Sequence, residues 1–95
     1  MNELTELQQA AKIAFASEFA FFLKASEFHW NVTGVHFQQF HALFETIYTE
    51  VYGIIDEFAE KLRALDCFAP GSLSKLSVLT RIEDQTDARS EEHTV

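Results

Sequence analysis

Cysteine, proline and glycine are scarce in this 95-residue chain, with one Cys, one Pro and three Gly. The lone Cys67 excludes an internal disulfide and fits a reducing compartment. So few chain-breaking residues argue against an all-β or disordered chain. Basic residues are also few, seven against fifteen acidic, which gives a formal net charge of −8 at pH 7. That balance opposes the cationic patches on which nonspecific nucleic-acid binding depends, so DNA is not an expected partner. No uninterrupted apolar run is long enough to span a bilayer, and the start MNELTELQQ lacks a basic stretch leading into an apolar one. Neither a membrane nor a secretory signal is therefore expected, and a cytoplasmic location is the default. What the chain does have is core material: 47% of its residues are apolar and ten are Phe. At this length it forms one small domain, marginal if it stands alone.

The apolar residues recur at helical spacing. From about residue 3 to 32 there is no Gly or Pro, and Leu4, Leu7, Ala11, Phe15, Phe22 and Ala25 lie three or four apart, which predicts a long amphipathic helix. Asn31-Val32-Thr33-Gly34 ends it, with Gly34 suited to a left-handed cap. A second helix, about 37 to 65, carries Phe40, Phe44, Ile47, Val51, Ile54, Phe58, Leu62 and Leu65. Gly53 inside it is a local weakness and a candidate close approach to another helix. The short connection makes the two helices an antiparallel αα-hairpin. Asp66 to Gly71 breaks the chain again, and Ser72 is placed to cap a short helix over 73–79. Residues 1–84 thus read as an all-α domain and 85–95 as a polar tail. Two long helices are too few for a closed bundle, so the hairpin reads as half of a four-helix bundle completed by dimerisation.

Four residues able to bind a metal stand in fixed register: His29, His41, Asp56 and Glu60. Imidazole and carboxylate together suit Fe(II) or another borderline divalent ion. His29 precedes the end of the first helix and His41 follows the start of the second, so an antiparallel hairpin sets both beside the loop. Asp56 and Glu60 share one face of the second helix. Fifteen positions separate His41 from Asp56, roughly 22 Å of helix, whereas metal–ligand bonds are about 2.0–2.6 Å. The two pairs cannot share an ion within one hairpin. A second hairpin related by a two-fold axis would set its Asp56 and Glu60 opposite the first chain's histidines, and would build an equivalent second site. Spacing alone also admits a plainer reading, in which the acids are a solvated face and the histidines form ordinary hydrogen bonds.

The strings FHWNVTG, HFQQFHALFE and IDEFAEKLRALDCFAPGSLSKL resemble the Dps family, the iron-oxidising mini-ferritins named as DNA-binding proteins from starved cells. The resemblance covers about residues 7 to 84, and several unusual strings occur in order. It implies a ferritin-like fold and an inter-subunit ferroxidase centre, with His29 and His41 from one chain and Asp56 and Glu60 from its partner as iron ligands. It implies that Glu45, one turn after His41, helps to hold a second iron. It also implies that Trp30 is an aromatic beside the site engaged in electron transfer. The implied chemistry is Fe(II) oxidation by hydrogen peroxide or oxygen in a homo-oligomer. The chain departs from the family pattern where a third long helix would start, which puts a closed storage shell in doubt. The start of the chain has a single Lys in its first twelve residues, whereas DNA binding in the family often uses lysine-rich tails. A rival reading from another class is a non-enzymatic assembly module whose apolar helix faces are partner surfaces.

Overall fold

In the computed structural model, which describes residues 2–84, the chain forms two long antiparallel helices and one short one. Helix α1 runs Glu3–Asn31, α2 runs Phe37–Ala64 and α3 runs Leu73–Leu79. Asn2 opens α1: its side-chain oxygen accepts the Thr5 N–H at 2.8 Å, with Glu3 and Glu6 in the positive first turn. The helix ends at an extended Val32, whose N–H still donates to the Phe28 carbonyl and whose side chain is buried. Gly34 does have a positive φ, 99°, but it comes after the helix has ended. It turns the chain toward α2 and does not cap α1.

Helix α2 ends in a two-bond cap. The Cys67 N–H donates to the Leu62 carbonyl and the Asp66 N–H to the Arg63 carbonyl, both at 3.0 Å. Asp66 takes the left-handed conformation, φ 63°, that glycine normally supplies there. Buried Cys67 packs with Leu62 across this turn. Ser72 then caps α3, its hydroxyl accepting the Lys75 N–H at 3.2 Å, as the sequence predicts. Residues 80–84 run back along α1, fixed where the Arg81 N–H donates to the Ser17 hydroxyl and the Lys24 ammonium to the Glu83 carbonyl.

The core is one-sided. Phe15 and Ala16 of α1 meet Val51, Ile55 and Leu62 of α2, with Cys67 and Leu76 closing the end near α3. Phe15 and Phe58 pack edge to face, centroids 5.8 Å apart, the arrangement that the ring quadrupole favours. Leu62 is fully buried, worth about 1.5–3 kcal/mol relative to exposure. Leu4, Leu7 and Ile54 belong to the apolar stripes yet stay about half exposed, because one partner helix can cover only one side of each. The dimensions, 52 × 22 × 20 Å, and a radius of gyration of 15.4 Å exceed the roughly 13 Å of a compact domain of this size. The molecule is an open hairpin, half of a four-helix bundle. At Gly53, read as a candidate close approach, an added Cβ meets nothing within 4 Å, so none of the described helices of the same chain approaches it. Among the described residues, no helix is long and apolar enough to cross a membrane.

Candidate metal centre

The hairpin turn brings His29 and His41 face to face. Their rings stack with centroids 3.6 Å apart and planes 21° from parallel. His29 is buried and His41 half-buried. Each ring is tied to the backbone of the other's helix. His29 Nδ1 lies 2.6 Å from the His41 carbonyl oxygen, and His41 Nδ1 lies 2.8 Å from the His29 carbonyl oxygen. A carbonyl only accepts, so both Nδ1 atoms must be the donors. In a neutral ring that places the proton on Nδ1 and leaves the Nε2 lone pair free. A metal-binding histidine is commonly oriented by this same outer bond. The pairing also has a local cause. His29 sits in the last turn of α1, where carbonyls lack an intrahelical partner, and the His41 ring supplies the missing donor.

Glu45 completes a cluster. One ligand atom each of His29, His41 and Glu45 lie within 4.8 Å of one another, the one such group of three or more among the described residues. Two bonds of about 2.1 Å to a shared ion span at most about 4.2 Å, so small side-chain shifts suffice. Glu45 is singled out by the family resemblance and not by the spacing of the metal-capable residues. Asp56 and Glu60 are exposed on α2 and do not join the cluster. Two histidines and one carboxylate leave coordination positions open, a donor set that suits iron or a similar divalent ion.

The sequence reading missed two aromatic walls. Phe37 stacks on the outer side of His41 at 4.9 Å, and the edge of Tyr48 meets His29 at 5.2 Å. Their spacing of four before and seven after His41 puts both on its face of α2, which was the available signal. Trp30 follows His29 directly and therefore projects about 100° away around the helix. It is 65% exposed and lines a shallow depression with Leu23, Lys24 and Glu27. Exposed His36 occupies the first position before α2 but makes no side-chain cap bond.

Comparison with known proteins bears on this geometry. Residues 8–93 match the family model described as a ferritin-like domain. The DNA protection during starvation protein of Helicobacter pylori is 34% identical over 71 residues, which are 75% of this chain and 49% of that protein. The nutrient stress-induced DNA-binding protein of a Nostoc species is 32% identical over 79 residues, 83% of this chain and 43% of that one. Among solved structures, a Dps protein of Vibrio cholerae O1, described as a member of a superfamily of ferritin-like diiron-carboxylate proteins, superposes with a TM-score of 0.85 at 31% identity. The match covers 90% of this chain and 54% of that one. The chain spans 37% to 49% of the length of the curated relatives it matches.

These relatives correct the expectation about DNA. Several carry DNA protection or DNA binding in their names, so the exclusion drawn from net charge does not hold. A whole-chain sum of −8 describes the average field and says nothing about where individual cations are presented on an assembled surface.

Proposed function

This chain belongs to the ferritin-like family, in its Dps mini-ferritin branch, and from that premise we propose that it oxidises Fe(II) at sites shared between two copies. Iron(II) is the substrate, and hydrogen peroxide or oxygen is the oxidant. His29, His41 and Glu45 of one chain bind the metal, and Asp56 and Glu60 of a two-fold partner complete each site. The carrying observation is the reciprocal imidazole–carbonyl bonding, which fixes both rings and leaves their Nε2 lone pairs free, in the same cluster of metal-capable side chains as Glu45. In the two-electron reaction, two Fe(II) ions, one hydrogen peroxide and two protons yield two Fe(III) ions and two waters. The residues bind and orient the ions, while Phe37 and Tyr48 exclude water from the imidazole faces. Trp30 serves electron transfer, and the relatives' association with DNA and a cytoplasmic setting belong to the same proposal.

Mixing separates this reading from its rivals. Fe(II) followed by peroxide should raise ferric absorbance faster with the parent chain than with His41→Ala or Asp56→Ala alone. An equimolar mixture of those two variants should recover about a quarter of the parent rate, because half of randomly formed dimers carry one intact site of two. A parent no faster than either variant would refute the oxidation, and a mixture no faster than its parts would refute the shared site. The rival assembly-module reading draws on Val35, Phe68, Leu73 and Val78, each 78–90% exposed. It predicts oligomers without iron oxidation.

A further inference from the structure

The chain has ten Phe but only two Tyr, and both tyrosines stand on one strip of rings that starts at the histidine pair. The edge of Tyr48 meets His29, with centroids 5.2 Å apart. Tyr48 packs edge to face on Phe22 of α1 at 6.1 Å, and Phe22 packs on Tyr52 at 5.5 Å. Tyr48 and Tyr52 are four positions apart and share one face of α2. Tyr48 and Phe22 are half-buried, whereas Tyr52 is 63% exposed. Ring contacts therefore lead from a metal-capable imidazole to the surface of the single chain.

Packing alone does not require a phenol. Phenylalanine fills the neighbouring positions of the same core, as at Phe15, Phe19 and Phe58. What tyrosine adds is an O–H whose proton can leave as the ring gives up an electron. Phenylalanine and neutral imidazole resist that oxidation. The readily oxidised rings of this chain are the two tyrosines and Trp30. Among the described residues, the ring contacts of His29 and His41 involve Tyr48 and Phe37 but not Trp30. Tyr48 is thus the oxidisable ring that touches the pair.

We propose that Tyr48 and Tyr52 form an electron relay, which supplies the second electron to hydrogen peroxide when a site holds a single Fe(II). The relay rests on the ferroxidase reading above and adds what happens when a site is half filled. Two Fe(II) ions deliver both electrons that peroxide needs, but one ion delivers only one, and cleavage of the O–O bond would then release hydroxyl radical. With the relay, one Fe(II), one tyrosine, one hydrogen peroxide and one proton yield one Fe(III), one tyrosyl radical and two waters. The O–O bond breaks, and the phenolic proton passes to water as the electron leaves the ring. Tyr48 gives the electron first, across its contact with His29. Tyr52 then refills Tyr48 past Phe22, which leaves the radical on an exposed ring that reductants in solution can reach.

The test gives the full chain Fe(II) at no more than one ion per site, with peroxide in excess. Freeze-quenched electron paramagnetic resonance should show a tyrosyl radical. The spin trap nitroso-tert-butane, located by peptide mass spectrometry, should be found on Tyr52. Tyr48→Phe keeps the ring and leaves Tyr52 untouched, yet it should strip the adduct from Tyr52 and raise the hydroxyl-radical adduct of a nitrone trap. Tyr52→Phe should keep the tyrosyl signal, now on Tyr48. The relay is overturned if Tyr48→Phe loads Tyr52 as the parent does, if the radical is confined to Trp30, or if mannitol, a scavenger of free hydroxyl radical, abolishes the Tyr52 adduct. Iron oxidation without any tyrosyl signal sinks the relay and leaves the ferroxidase reading standing. A parent that oxidises iron no faster than His41→Ala sinks both.

Discussion

His41→Ala removes three things at once, and the structure gives a size to each. The first is the hydrogen bond from Nδ1 to the His29 carbonyl at 2.8 Å, worth about 1 kcal/mol net. Its loss also leaves a carbonyl at the end of α1 short of a donor. The second is the ring stack on His29 at 3.6 Å and on Phe37 at 4.9 Å, for which about 1 kcal/mol is a fair figure at a half-buried site. The third is a metal ligand. The metal-free chain should therefore lose about 2 kcal/mol, which lowers its thermal midpoint by roughly 8–16 °C for a domain of this size. Glu45→Gln is the control. Glu45 is exposed and no hydrogen bond to it is seen among the described residues, so its loss should change metal-free stability by less than about 0.5 kcal/mol. Its effect should fall on metal affinity, which drops by about tenfold or more. Urea melts followed by circular dichroism in chelator, with Zn(II) titration calorimetry beside them, measure both quantities. If His41→Ala melts with the parent in chelator, the two rings do not brace the hairpin turn before metal arrives, and the tautomer assignment loses its basis.

Three further outcomes follow from the packing. Leu62→Ala empties a fully buried site between α2 and the Cys67 turn, and should cost about 2–5 kcal/mol in a urea melt. That is enough to unfold much of a chain this small. Asp66→Gly relieves a left-handed residue at φ 63° and should raise the unfolding free energy read from the urea melt by up to about 1 kcal/mol; a loss would mean that the Asp66 side chain has a role of its own. Gly53→Ala, where the added methyl meets open space in the single chain, should stabilise metal-free α2 by about 0.5–1 kcal/mol, read in the same melt.

The fold was largely legible because helical periodicity is a local property. Ten Phe, few chain breakers and apolar steps of three and four were sufficient for the antiparallel hairpin and its short third helix, with Ser72 capping α3. Boundaries were less legible where the backbone had a choice. Val32 ended α1 by tucking an extended, buried residue under the turn, and Gly34 was used later. At the end of α2, Asp66 filled a role that glycine usually takes. Gly53, read as a possible close approach, faces open space, since a single sequence does not reveal which side of a helix its own chain leaves uncovered.

For the candidate site the division is sharper. Helix spacing was enough to set His29 and His41 on the two flanks of one turn, and to put Asp56 and Glu60 too far along α2 to meet them, because the rise per residue of a helix is fixed. It could not determine how α1 and α2 rotate about their axes. That rotation alone decided that the imidazoles stack, that each Nδ1 finds the other's carbonyl, and that Glu45 stands within reach of both. Rotation is set by how Phe15, Val51, Ile55 and Leu62 fill the space between the helices, a property of the packed pair that neither helix carries alone.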